Sequence, residues 1–128
     1  MSILDASAII ALLEGEPGHR TVADIVAEGA SIGAVNLAEV ATRVMRLSGS
    51  AEEIRSIIDE LPLQIFDVTR DLAVEAGVMS TVTKRFGLSL GDRLCLALAS
   101  REKQPAITAD RSWTEAGPLV GVTVQLIR

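Results

Sequence analysis

The sequence predicts an α/β protein, a three-layer α/β/α sandwich around a central, mostly parallel sheet of about five strands. Three observations predict it. Short apolar runs of β character alternate with stretches of helical period, which argues for parallel strands joined by crossover helices on both faces. One helical stretch, residues 94–99, is apolar on every side and so belongs deep between layers. The 128 residues form one domain, residues 1–128, long enough to bury a core without covalent staples, and no repeat, low-complexity tract or linker divides them.

Residues 2–4 read as a first strand, which passes through Asp5 straight into a helix over residues 6–13. The run Glu14-Gly15-Glu16-Pro17-Gly18 is a loop by its Gly and Pro content. Residues 19–27 place Val22, Ile25 and Val26 on one helical face. Residues 31–35 read as a second strand, and residues 37–47 as a helix with the stripe Leu37, Val40, Ala41, Val44 and Leu47. After Ser48-Gly49-Ser50, the residues Ile54, Ile57, Ile58 and Leu61 mark another helix that Pro62 closes. Residues 63–68 read as a third strand. Thr69 is a natural N-cap for one long helix carrying Leu72, Ala76, Met79, Val82 and Phe86, ended by Gly87. Residues 89–103 form the next helix, residues 106–108 a fourth strand and residues 122–127 a fifth.

Composition restricts the chemistry. Cys95 is the single cysteine and lies in the apolar run, so a buried structural thiol is expected and no disulfide is possible. That fits a reducing, cytoplasmic setting. Asp5 interrupts the amino terminus before a signal-peptide apolar region can form, and residues 9–13 are too short to span a bilayer. Residues 1–64 carry ten Asp/Glu against four Arg, a net of −6, whereas residues 65–128 carry seven against eight Lys/Arg, a net of +1. A protein that grips nucleic acid by charge alone should be basic. This chain, at −5 overall, would need bound metal, a local basic surface or a basic partner. Phe66, Phe86 and Trp113 are the only aromatics, so stacking on bases is not the expected grip. The aliphatic surplus predicts apolar surface covered by a second subunit or partner.

Four acids stand where a strand hands over to a helix or just inside a helix start: Asp5, Glu39, Asp92 and Asp110. In open α/β sheets the ligand crevice lies beyond the carboxyl ends of the strands, where strand order reverses. Asp5 leaves the first strand at that rim, Asp110 follows the fourth by two residues, and Glu39 falls in the first turn after the second. The helix starting at Ser89 must deliver the chain to the amino end of the fourth strand, so Asp92 begins near the opposite, carboxyl rim. Gathered carboxylates repel unless a cation neutralises them, and they are the hard oxygen ligands that Mg²⁺ or Mn²⁺ prefers. Each acid alone reads equally well as a cap. Asn36-Leu37-Ala38-Glu39 and Ser89-Leu90-Gly91-Asp92 both have the form of capping boxes, and Asp110 could cap a turn through Arg111-Ser112-Trp113.

Four segments together resemble the PIN domains, and in particular the VapC-type ribonuclease toxins of bacterial toxin–antitoxin pairs. They are Ile3-Leu4-Asp5-Ala6-Ser7, Asn36-Leu37-Ala38-Glu39-Val40, the run from Leu88 through Gly91-Asp92-Arg93 to Ala97, and Thr108-Ala109-Asp110-Arg111-Ser112-Trp113, in order across the whole chain. The resemblance implies an α/β/α sandwich that hydrolyses RNA phosphodiesters with one or two Mg²⁺ or Mn²⁺ ions, a homodimer and a VapB-type antitoxin partner. It makes Asp5, Glu39, Asp92 and Asp110 the catalytic quartet. Asp5, Asp92 and Asp110 are its metal ligands, and Glu39 acts through water or on the nucleophile. Ser7 and Thr108 match hydroxyl positions that orient a carboxylate. Trp113 is expected to pack and His19 to lie at the surface, while Arg43, Arg46 and Arg93 are either phosphate contacts or solvated.

Other classes fit less well. A phosphatase with Asp5 as nucleophile wants a second Asp two residues on, where Ser7 stands, and a phosphoacceptor receiver lacks its acidic pair and lysine. A non-enzymatic interaction module, its acids serving only as caps, remains the rival and predicts no Mn²⁺ binding.

Overall fold

The computed structural model describes residues 1–128. Five strands, β1 (Ser2–Leu4), β2 (Ala30–Gly33), β3 (Leu63–Phe66), β4 (Ala106–Thr108) and β5 (Val124–Leu126), pair in parallel in the order β3-β2-β1-β4-β5. The chain walks outward from β1 to β3, then returns to lay β4 on the other side of β1. Strand order therefore reverses between β1 and β4. Ile3 is registered with Ala106 and Leu4 with Ile107, and the ladder continues as Asp5 N donates to Ile107 O at 3.0 Å.

Helices α1 (Ala6–Glu14), α2 (His19–Glu28), α3 (Ala34–Ser48) and α4 (Ala51–Glu60) precede β3; α5 (Arg70–Val78), α6 (Ser80–Thr83) and α7 (Leu90–Glu102) precede β4; α8 (Trp113–Leu119) leads to β5. Side-chain alternation along the strands divides the core. Leu4, Ile32 and Ile107 point into one cluster with Ala8, Ile9, Val22, Val40 and Val44 of α1–α3, and Ile3 and Ala106 point into the other with Leu72, Leu96, Leu98 and Trp113. Residues 94–99 are all buried, as an all-apolar helix between layers should be. The three-layer arrangement follows from these two clusters on opposite faces of one sheet.

Several boundaries differ from expectation. The second strand runs Ala30–Gly33, and Val35 lies inside α3, although its β-branched side chain reads as strand by propensity. Asn36 is therefore not a cap: Gly33 occupies the N-cap position and offers no side chain. Glu39 consequently lies in the second helical turn rather than the first. The expected long helix from Thr69 to Gly87 is broken at Met79 into α5, α6 and a 3-10 turn at Lys84–Phe86. Gly77 and the Ser80-Thr81-Val82-Thr83 run hold a helix poorly, and the Thr83 hydroxyl donates to Met79 O at 2.8 Å. Both expected ends survive, with Thr69 capping Leu72 N and Gly87 in the left-handed region. Helix α8 has no counterpart among the expected elements, and it runs through Gly117 and Pro118, residues that ordinarily disfavour a helix.

Gly117 is buried where α8 meets β5, and a Cβ there would collide with the Val124 side chain and stand 3.0 Å from Val122 O. Gly117→Ala should therefore destabilise the protein by about 1–3 kcal/mol through overpacking, measured as a lower midpoint in urea unfolding.

Candidate functional site

Asp5 ends β1 and caps α1, its Oδ1 accepting from Ala8 N at 3.0 Å. Two hydroxyls also point at it. Ser7 Oγ donates to Asp5 Oδ1 at 2.7 Å, and Thr108 Oγ1 donates to Asp5 Oδ2 at 2.6 Å. Each hydroxyl in turn accepts a backbone N–H from the segment after β4, Ala109 N on Ser7 at 2.9 Å and Asp110 N on Thr108 at 3.0 Å. One hydroxyl thus sits on each Asp5 oxygen and fixes the orientation of the carboxyl group. It is only 5% exposed. Burial raises its pKa above the usual carboxylate value, the hydrogen bonds oppose that rise, and the charge of Asp92 adds to it.

The other acids approach the same rim. Asp92 closes a capping box at the start of α7: Asp92 N donates to Ser89 Oγ at 3.1 Å, and Ser89 N donates to Asp92 Oδ2 at 2.9 Å. Its pKa is also raised, chiefly by burial, with the charge of Asp110 contributing. Asp110 follows β4 by two residues, and its Oδ1 accepts from Ser112 N at 2.9 Å and Ser112 Oγ at 2.7 Å, the local turn expected of it. Glu39 projects from α3 onto the first turn of α7. Beneath them Cys95 is fully buried, and its thiol pKa lies well above the usual value through burial first and then the charges of Asp5, Asp92 and Glu39.

The fold thus brings all four acids to the rim at the β1/β4 reversal, but it does not draw three of their carboxylates into one ligating group. Asp92 and Asp110 each have one oxygen turned into a local cap. Their second oxygens, Glu39 Oε2 and the remaining lone pair on Asp5 Oδ2 accept no protein hydrogen bond. None of the three ion pairs in the chain involves these acids. A buried anion facing further anions, uncompensated by any Arg or Lys and presenting free hard oxygens, fits a divalent cation.

Two contributors escaped the sequence. Asn36 is 2% exposed, and its Nδ2 donates to Glu39 Oε1 at 2.7 Å and to Gly91 O at 3.3 Å, seating the carboxylate against α7. Gly91 makes the seat possible, since a Cβ there would stand 2.8 Å from Glu39 Oε1. The motif Asn-x-x-Glu was visible, but its polarity was misassigned as a cap. Of the candidate phosphate contacts, Arg43 is held by Glu14 at 3.1 Å and Arg93 Nη1 donates to Ala76 O at 2.9 Å. Trp113 is fully buried packing, and His19 is half-buried at the start of α2.

The parallel order with its reversal between β1 and β4, and the acids gathered there, define an α/β protein with an acidic rim at the carboxyl ends of its strands. The family model of the PIN domain matches residues 2–117, and the chain belongs to that family. Sequence comparison with curated proteins gives no significant match. Among solved structures, similar folds include a toxin–antitoxin complex from Klebsiella pneumoniae (17% identity, 100% of this chain and 98% of that one, TM-score 0.75). VapBC2 from Rickettsia felis bound to a promoter DNA fragment is also similar (18%, 98% and 97%, TM-score 0.75). So is VapC20 from Mycobacterium tuberculosis, a sarcin-ricin loop cleaving toxin (22%, 91% and 95%, TM-score 0.75). At these identities the likeness is one of fold.

Raised carboxyl pKa values carry a definite sign. The folded protein holds protons on Asp5 and Asp92 that the unfolded chain has already released, so these two groups cost stability as pH rises from about 4 through their folded pKa values. A cation at the rim reverses that cost. Adding Mn²⁺ should raise the thermal midpoint more at pH 7 than at pH 4.5, as followed by circular dichroism, and Asp5→Asn should shrink the difference.

Proposed function

We propose that the protein is a metal-dependent endoribonuclease using Mg²⁺ or Mn²⁺, the toxin of a type II toxin–antitoxin pair. The observation that carries this reading is Asp5, a buried carboxyl group held by two hydroxyls beside further acids and in no ion pair with Arg or Lys. The family membership and the toxin–antitoxin proteins of similar fold support it. Asp5, Asp92 and Asp110 would hold the ion, one or two in number. When bound, it supplies the positive charge that an in-line displacement at phosphorus builds against. Ser7 and Thr108 fix the orientation of Asp5, and Glu39, seated by Asn36, accepts the proton of the attacking water directly or through a second water.

The same residues weaken the phosphatase alternative, because the Ser7 proton is committed to Asp5 and no second acid stands in its place. The caps made by Asp92 and Asp110 favour the interaction-module reading, which predicts no Mn²⁺ binding at all. The partners that fit are a VapB-type antitoxin with a basic segment for the acidic crevice, and a second copy of the chain. Exposed Val74, Val78 and Val82 offer apolar surface for such contacts. No helix is long and apolar enough to cross a membrane.

With Mn²⁺, the purified protein should cut RNA, and Asp5→Asn and Asp92→Asn should each lower the rate on the order of 100-fold or more while circular dichroism stays native. Equal cleavage by both variants would sink the reading.

A further inference from the structure

Beside the start of α7 lies a cavity of about 480 Å³ lined by Ser80, Thr81, Lys84, Leu88 and Arg93. Four of its five side chains are hydrogen-bond donors, two of them cationic, and no carboxylate lines it. That is unusual placement in a chain of net charge −5. Neither cation belongs to an ion pair, and the Ser80 and Thr81 hydroxyls make no side-chain hydrogen bond within the protein. Arg93 is half-buried and pinned, with Nη1 donating to Ala76 O at 2.9 Å, which leaves most of its five N–H donors free but holds the guanidinium in place. Lys84 is exposed at the 3-10 turn across from it. The cavity adjoins the acidic rim directly: Arg93 follows Asp92, and Leu88 precedes Ser89, whose N–H holds Asp92.

We infer that this cavity is an anion subsite for a backbone phosphate of the RNA strand, one that lies next to the scissile position. The inference rests on the nuclease reading above. An acidic protein that must hold a polyanion needs local cations and donors, and a fixed Arg with an exposed Lys and two hydroxyls matches the oxygens of a phosphodiester. The subsite contacts a non-reacting phosphate, so it contributes to binding in ground and transition states alike.

The test is Lys84→Ala, with Lys103→Ala as a charge-matched control at the far end of α7, about 16 Å along the helix axis from Asp92. Lys84 is exposed, so the fold is retained, and Thr81→Ala provides a second variant without charge change. Binding of a labelled mixed-sequence single-stranded RNA in EDTA, followed by fluorescence anisotropy across a salt series, reads the subsite without metal. Lys84→Ala should weaken binding about fivefold at 0.1 M salt and flatten the slope of log K against log salt by about 0.7. With Mn²⁺ it should raise KM by a similar factor with kcat within about twofold. Thr81→Ala should weaken binding without altering the slope, and Lys103→Ala should change neither. Wild-type protein that cuts RNA while Lys84→Ala and Lys103→Ala behave alike would overturn the subsite alone. Wild-type protein that neither binds nor cuts RNA would overturn the nuclease reading and the subsite with it.

Discussion

The hydrogen bond from Thr108 to Asp5, 2.6 Å across the β1/β4 junction, ties the candidate site to the sheet. It joins the two strands at the point where strand order reverses. Thr108 also accepts from Asp110 N, and Ser7 makes the matching pair of bonds to Asp5 and Ala109 N. Two hydroxyl protons therefore set the orientation of one carboxylate and the path of the loop that carries another acid. Loss of either hydroxyl would leave a buried acceptor or a backbone donor unmatched, each costing about 1–3 kcal/mol. The site and the sheet are held by the same bonds.

Burial of Asp5 has an electrostatic cost that hydrogen bonds offset only in part, since its pKa remains raised. Asp92 is raised for the same reason, with Asp110 adding to it. A fold assembled only for stability would place a guanidinium here or replace the acids with apolar residues. Arg43 and Arg93 instead bond elsewhere, Arg43 to Glu14 and Arg93 to Ala76 O, and no Arg or Lys forms an ion pair with the four acids. The charge is thus left without an ion pair inside the protein. Asn36 and Gly91 extend the arrangement, one by donating to Glu39 and the other by leaving space for it.

Much of this was legible in the sequence, for physical reasons. Period and apolar content located the buried helix of residues 94–99 and the first and fourth strands to the residue, because burial on both sides leaves an uninterrupted apolar run. The capping box of Ser89 and Asp92 was legible because both partners are local. Interactions between distant segments were not. Nothing at position 36 says that its amide reaches Gly91 O rather than its own helix start, and nothing in Gly117-Pro118 says that α8 continues through them. The break at Met79 falls inside a periodic stripe of Leu72, Ala76 and Met79 that gives no sign of it. The acids were legible as a set, but their rotamers were not: Asp92 and Asp110 face both cap and crevice, and only one oxygen of each is committed.

The central claim, that these carboxylates jointly hold a divalent cation, is tested most directly by the anomalous scattering of Mn²⁺ in crystals of the intact chain grown with the metal. The account predicts a peak at the β1/β4 crevice contacted by Asp5 and Asp92, with Asp110 swung from Ser112 toward it and water completing the coordination. Crystals saturated with Mn²⁺ that show no peak at this rim, with Asp92 and Asp110 still turned into their caps, would contradict it.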